Sequence, residues 1–207
     1  MNPSGSLERM ELAELLASAP KIGRFRALLS HGGVAAVPTE TFYALAADPT
    51  NERGVSRVFE IKGRDDGKPL LVLFSDRVQL DSLGVAPAPL DRFFAVWPAP
   101  LTVVLRLRSP IAASRRGATL AVRMPAAALL RRLLFAVGPL TGTSANRSGD
   151  PPLADPDAVA QAFGSGLDLL VDGGPTAGGE PSTVIDATQE PIRVLRRGGF
   201  RWPAPEE

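Results

Sequence analysis

Cysteine is absent from all 207 residues, which excludes disulfides, thiolate nucleophiles and cysteine-built zinc sites. Histidine occurs once, at His31, so a Ser-His-Asp triad or a histidine metal site would have to run through it. It precedes Gly32-Gly33 where a helix is expected to end, and a C-terminal capping role fits it better. No apolar run reaches the about 18 residues of a membrane span, and the start "MNPSGSLERMEL" is neither basic nor long and apolar. The expectation is a soluble, cytoplasmic protein that does not enter a membrane. Charge of one sign is missing too: the net charge is +1, so any anionic partner must be held by a local cluster of Arg and Lys. A Walker A string is lacking, and Gly173-Gly174 and Gly178-Gly179 are too sparse for a dinucleotide fingerprint.

What is present is ordinary globular composition, 44% hydrophobic and 22% charged. One domain over residues 1–207 is expected, with a core over about 20–200 and a loosely held tail at 201–207. From Leu7 to Leu29 the spacing of Leu12, Leu15, Leu16 and then Ile22, Phe25, Leu28, Leu29 fits two amphipathic helical pieces, interrupted at Pro20. "VAAVP" reads as a strand closed by Pro38, and Asn51 to Ile61 as a helix capped by Asn51. "PLLVLF", "LTVVLRL", "TLAVRM", "LDLLVDGG", "STVID" and "IRVL" read as strands, and "GPLTGTSAN" as a strand running into a polar loop. Helices are expected over Leu90 to Trp97, around Leu129 to Leu134, and over Ala158 to Phe163. The alternation argues for a three-layer α/β domain with a largely buried, mixed sheet of six or seven strands.

Four polar clusters fall at strand ends or loops: Thr39-Glu40-Thr41; Lys62, Arg64 and Lys68; Thr143, Ser144, Asn146, Arg147 and Ser148; and Ser182-Thr183. Loops at the strand ends of an α/β sheet are where a ligand crevice forms. Hydroxyls and amides there grip phosphate or carboxylate oxygens, and the basic cluster suits a polyphosphate. No general base stands out, so the chemistry expected is driven by positioning and charge neutralisation. Taken singly, each cluster is also an ordinary surface turn or helix cap. The residues alone therefore lead to an α/β protein that binds an anionic small molecule.

Read together and in order, these segments resemble the YrdC-like family of threonylcarbamoyl-AMP synthases. "VPTETFYALAADPTN" is similar to its Pro-Thr-Glu-Thr-x-Tyr-Gly-Leu segment, and "FEIKGRDDGKPLLVL" to its Lys-x-Arg-Pro segment. "WPAPLTVVL" resembles Trp-Pro-Gly-Pro-Leu-Thr, "LAVRMP" Ala-Val-Arg-x-Pro, and "TSANRSG" Ser-Ala-Asn-x-Ser-Gly. "PSTVID" and "VLRRG" resemble the closing Ser-Thr-Val and Arg-Pro-Gly elements. The matches run collinearly from Val34 to Gly198, and the chain resembles the short, single-domain form.

The resemblance implies a twisted mixed sheet of about seven strands, flanked by helices, around a basic cavity. It implies synthesis of threonylcarbamoyl-AMP and pyrophosphate from L-threonine, bicarbonate and ATP. Downstream threonylcarbamoyl-transferase proteins would then modify tRNA. Lys62 and Arg64 would contact the ATP phosphates and act in catalysis. Thr143, Ser144, Asn146 and Arg196 would hold the nucleotide; Thr39, Lys68, Arg123 and Ser182 would hold threonine, Arg123 by its forked pairing with the carboxylate. Mg²⁺ would come with ATP, without a dedicated protein ligand. Departures from the family pattern are Ala44 and Ala99 where glycine is usual, Asp65 after Arg64 where proline is usual, and Arg197. Two other functions compete: an RNA-binding or ribosome-associated module using Arg106, Arg108, Arg115, Arg116, Arg131, Arg132 and Arg147, and a divergent paralogue using another carbamoyl or acyl adenylate. The Gly/Pro-rich stretch 173–181 beside Ser182 is a candidate lid.

Overall fold

The structure, a computed structural model, describes residues 7–63 and 68–202. Arg64 and Asp65, and the tail beyond Trp202, lie outside the described residues. Along the chain come β1 (Glu8–Glu11), α1 (Leu12–Leu16), α2 (Ala19–Ser30), β2 (Ala35–Pro38), β3 (Tyr43–Ala46), α3 (Glu52–Lys62) and β4 (Val72–Leu73). Then follow α4 (Arg77–Ser82), α5 (Asp91–Phe94), β5 (Leu101–Arg106), a 3-10 turn (Ala112–Ser114), β6 (Thr119–Arg123), α6 (Ala128–Val137), β7 (Leu140–Thr141) and β8 (Thr143–Ser144). The last elements are α7 (Pro156–Phe163), β9 (Leu169–Asp172), β10 (Thr183–Asp186) and β11 (Arg193–Arg196).

The mixed α/β class is as expected, but the strands divide between two sheets. One has the order β1-β9-β2-β3-β8 and the other β11-β10-β5-β6-β4-β7. Both are mixed: β9 runs parallel to β1 and β2, whereas β3 is antiparallel to β2 and β8. In the second sheet β10 is parallel to β5 and antiparallel to β11. The chain passes from one sheet to the other at Gly142, between β7 and β8. A Cβ there would meet the Leu73 side chain at 2.5 Å, so only glycine lets the crossing pass so close. Thr141 joins the sheets beside it: its hydroxyl donates to Leu45 O at 3.1 Å and accepts from Ala47 N–H at 2.9 Å.

Local chemistry explains the helices. Asn51 caps α3 through Gly54 N–H at 3.0 Å, and Gly63 ends it in the left-handed region at φ 60°, as a C-terminal glycine does. Pro20 sits in the first turn of α2, where its missing N–H is harmless, and His31 closes that helix with Nδ1 2.7 Å from Ala27 O. In α6, Leu130, Leu133 and Leu134 face inward, each buried leucine contributing about 1.5–3 kcal/mol.

Three expectations are corrected. Glu8–Glu11, expected within a helical piece, is an edge strand paired with β9, and Leu12 and Leu15 already belong to the core. The segment Leu90 to Trp97 forms only one regular turn, α5, before an aromatic cluster in which Trp97 meets Phe74 edge-on at 5.1 Å. Trp202, expected in the loose tail, packs on Phe93 with ring centroids 5.6 Å apart.

Candidate active site

The two sheets face each other across a cavity of about 320 Å³. The first sheet contributes Tyr43 and Ala44 from β3 and Thr143 and Ser144 from β8, with Thr39 and Thr41 from the β2–β3 turn. The second contributes Thr102, Ala121, Arg123, Val184 and Arg196, with Ser182 just before β10. No acidic residue lines this space among the described residues, whereas two arginines do. Such a wall selects an anion.

Arg123 is at the end of β6 and almost wholly buried. Burial lowers its proton affinity; the Glu40 carboxylate raises it and Arg196 lowers it further. Glu40 Oε1 lies 3.7 Å from Arg123 Nη2, too far for a hydrogen bond. Arg123 Nε is buried and has no hydrogen-bond partner among the described residues, so the guanidinium retains donor capacity for a carboxylate.

Arg196 reaches inward from edge strand β11. Its Nη2 donates to Ser182 O at 2.8 Å and to Ser182 Oγ at 3.2 Å, and partial burial lowers its proton affinity. Ser182 Oγ also lies 2.8 Å from Thr102 Oγ1. The Thr39 hydroxyl donates to Phe42 O at 2.7 Å and accepts from the N–H groups of Thr41 and Phe42. Thr39 thus builds the turn that forms the cavity wall as well as lining it.

Lys62, the last residue of α3, is buried. Its ammonium donates to Ser144 O at 2.6 Å, Asn146 O at 3.0 Å and Asn146 Oδ1 at 3.1 Å. Ser144 Oγ donates to the same Asn146 Oδ1 at 2.6 Å. A positive charge is thereby fixed behind a cavity-lining serine. The 173–181 stretch is tied to the first sheet: Thr176 Oγ1 and Gly178 N–H both donate to Thr41 O at 2.7 Å. The Tyr43 hydroxyl donates to Gly174 O at 2.8 Å, and its pKa is pushed up to about 12, chiefly by burial.

Of the expected site residues, Thr39, Arg123, Thr143, Ser144, Ser182 and Arg196 converge on this cavity. Lys62 and Asn146 form the latch at its edge. Lys68 is exposed and is not part of the lining, although the adjoining Pro69 is. Glu40, expected to line the cavity with its threonine neighbours, instead turns toward Arg123. Thr102 went unrecognised; a lone hydroxyl residue in the apolar strand "PLTVVL" was its signal. Ala44 and Ala99 have no left-handed backbone, since Arg115 and Arg116 are the non-glycine residues with positive φ among those described. Alanine is therefore unstrained at both. Three arginines of the RNA-binding alternative are engaged internally: Arg106 on Thr188 O, Arg131 on Pro125 O and Ala126 O, and Arg115 over the Phe59 ring.

Fold and site define a mixed α/β protein with an arginine-lined cavity between two sheets. Residues 27–198 match the family profile Sua5/YciO/YrdC, described as "Telomere recombination", and the chain belongs to that family. The threonylcarbamoyl-AMP synthase of Bacillus subtilis is 37% identical over 197 residues, covering 90% of this chain and 56% of that protein. The threonylcarbamoyl-AMP synthase of Nitrosococcus oceani is 37% identical over 166 residues, covering 77% of this chain and 89% of that protein. The crystal structure of P. abyssi Sua5 complexed with L-threonine superposes with a TM-score of 0.80 at 32% identity, covering 93% of this chain and 57% of that one. The chain thus spans little more than half the length of two of these relatives.

Proposed function

We propose that this chain is an L-threonylcarbamoyladenylate synthase, a nucleotidyltransferase acting on L-threonine, bicarbonate and ATP. The observation that carries the reading is the convergence of Arg123, Arg196, Ser182 and Ser144 on one cavity whose described walls hold no carboxylate, with Lys62 and Asn146 latched behind Ser144. Its volume falls at the small end of the range for ligand sites, about 300–1,000 Å³. Relatives named threonylcarbamoyl-AMP synthase, and a related structure holding L-threonine, support the same reading.

In this mechanism Arg123 pairs with the threonine carboxylate, and the hydroxyls of Ser182 and Thr102 face the threonine side chain. The threonine amine attacks bicarbonate and forms a carbamate with loss of water. A carbamate oxygen then attacks the α-phosphorus of ATP, and the bond to the β-phosphate oxygen breaks to release pyrophosphate. Lys62, with Arg64, offsets the charge that gathers on the leaving group. Thr143, Ser144, Asn146 and Arg196 hold the nucleotide. Mg²⁺ would enter with ATP, held by the phosphates and water rather than by a dedicated protein site. The product passes to transferase proteins that modify tRNA.

Pyrophosphate release from ATP, measured with threonine or bicarbonate omitted in turn and with serine as a control, tests the assignment. Release that needs both threonine and bicarbonate is expected. Release indifferent to threonine would contradict it.

A further inference from the structure

Glu40 has no part in the mechanism above, yet its surroundings are unusual. Both carboxylate oxygens are shut off from water, and neither accepts a hydrogen bond from a described residue. Its ion-pair partner is Arg123 at 3.7 Å, close enough for charge to act and too far for a hydrogen bond. A buried carboxylate without donors is costly unless a nearby charge offsets it. The turn that carries Glu40 does not need its side chain, because the Thr39 hydroxyl already closes that turn.

Arg123 has the complementary problem. It is buried, it shares the cavity lining with a second arginine whose charge it feels, and its Nε has no acceptor. A carboxylate in tight bidentate contact would occupy the donors that a ligand needs. At 3.7 Å, Glu40 supplies the opposite charge and leaves those donors open.

We infer that Glu40 is a positioning residue for Arg123, whose charge holds the buried guanidinium in place against Arg196 and so sets the grip on the ligand carboxylate. This rests on the threonine reading of the cavity given above. It extends that reading by making carboxylate recognition depend on a residue that does not line the site.

The test is calorimetric titration of the wild type, Glu40→Gln and Glu40→Asp with L-threonine, with L-threoninamide and with ATP. L-threoninamide keeps the amine and hydroxyl and lacks the carboxylate. Glu40→Gln is expected to weaken L-threonine binding about tenfold or more, and Glu40→Asp less. ATP and L-threoninamide should bind each variant within about twofold of the wild type. L-threonine affinity unchanged in Glu40→Gln, or all three ligands lost in proportion, would overturn the inference. A wild type that binds no L-threonine would contradict the threonine reading itself. The Glu40–Arg123 coupling would then be decided without ligand, by thermal melting of Glu40→Gln, Arg123→Met and the double variant. A double variant that melts closer to the wild type than the summed single shifts supports the coupling, and additive shifts refute it.

Discussion

The Lys62 ammonium lies 2.6 Å from the carbonyl oxygen of Ser144, a residue 82 positions further along the chain. One side chain thus ties the end of α3 to edge strand β8 and the loop that follows it. Without Lys62, the Ser144 and Asn146 carbonyls and the Asn146 amide oxygen lose a charged donor. Lys62→Met is predicted to abolish threonine-dependent pyrophosphate release. It should also lower stability by about 2–3 kcal/mol, the scale of hydrogen bonds to a charged group. Stopped turnover with an unchanged denaturation midpoint would mean that the latch contributes nothing to the fold.

Arg123 is buried with free donor capacity beside an anion-selective wall. Lysine keeps the charge and loses the planar fork. Arg123→Lys is predicted to raise KM for threonine at least about tenfold, equivalent to 1.4 kcal/mol or more, while KM for ATP stays near the wild-type value. Steady-state kinetics with each substrate varied would separate the two.

Gly198 matters for space. A Cβ there would lie 2.1 Å from Pro181 O and 2.8 Å from the Ser182 carbonyl carbon. Alanine at this position must push back the segment that presents Ser182 to Thr102 and Arg196. Gly198→Ala is predicted to cost about 1–3 kcal/mol of stability, as overpacking does, and to impair threonine binding more than ATP binding. Equal loss of both affinities would show that the disturbance is not local to Ser182.

How much of this could be read from the chain depends on the range of the determining interactions. The helix α3 was legible because Asn51, the apolar spacing and Gly63 are all local signals. The strand β1 was not: "ERME" has no strand propensity, and its pairing with β9 is decided some 160 residues away. The division into two sheets was hidden for the same reason, since the residues after Gly142 read as a polar loop and their pairing with β3 is long-range. Among site residues, Arg123 and Ser182 stood in recognisable segments. Thr102 was concealed in an apolar strand, and the partner of Glu40 became visible only once β6 was placed against the β2–β3 turn.

Three aspartates are held below the usual aspartate range in the folded protein. Hydrogen bonds from the Ser75 hydroxyl and Gln79 N–H hold Asp76 below the usual aspartate range, and the Thr188 hydroxyl does the same for Asp186. For Asp172, burial pushes upward, but hydrogen bonds from Gly174 N–H and Arg9 outweigh it. A carboxylate whose pKa is depressed by folding contributes stability above its unfolded value, and that contribution is lost as pH falls through the native one. Urea midpoints should therefore hold from neutral pH down to about 4 and fall below it. Asp76→Asn keeps an N-cap for α4 and should make the fall shallower. An unchanged slope would contradict the assignment.

Incorporation of labelled bicarbonate tests the central claim most directly. The protein is incubated with ATP, Mg²⁺, L-threonine and ¹³C-bicarbonate, and the adenylates formed are identified by mass spectrometry. The account predicts a threonine-dependent adenylate that carries the labelled carbon, formed in step with pyrophosphate. Pyrophosphate released without a labelled adenylate, or no adenylate from folded protein, would contradict it.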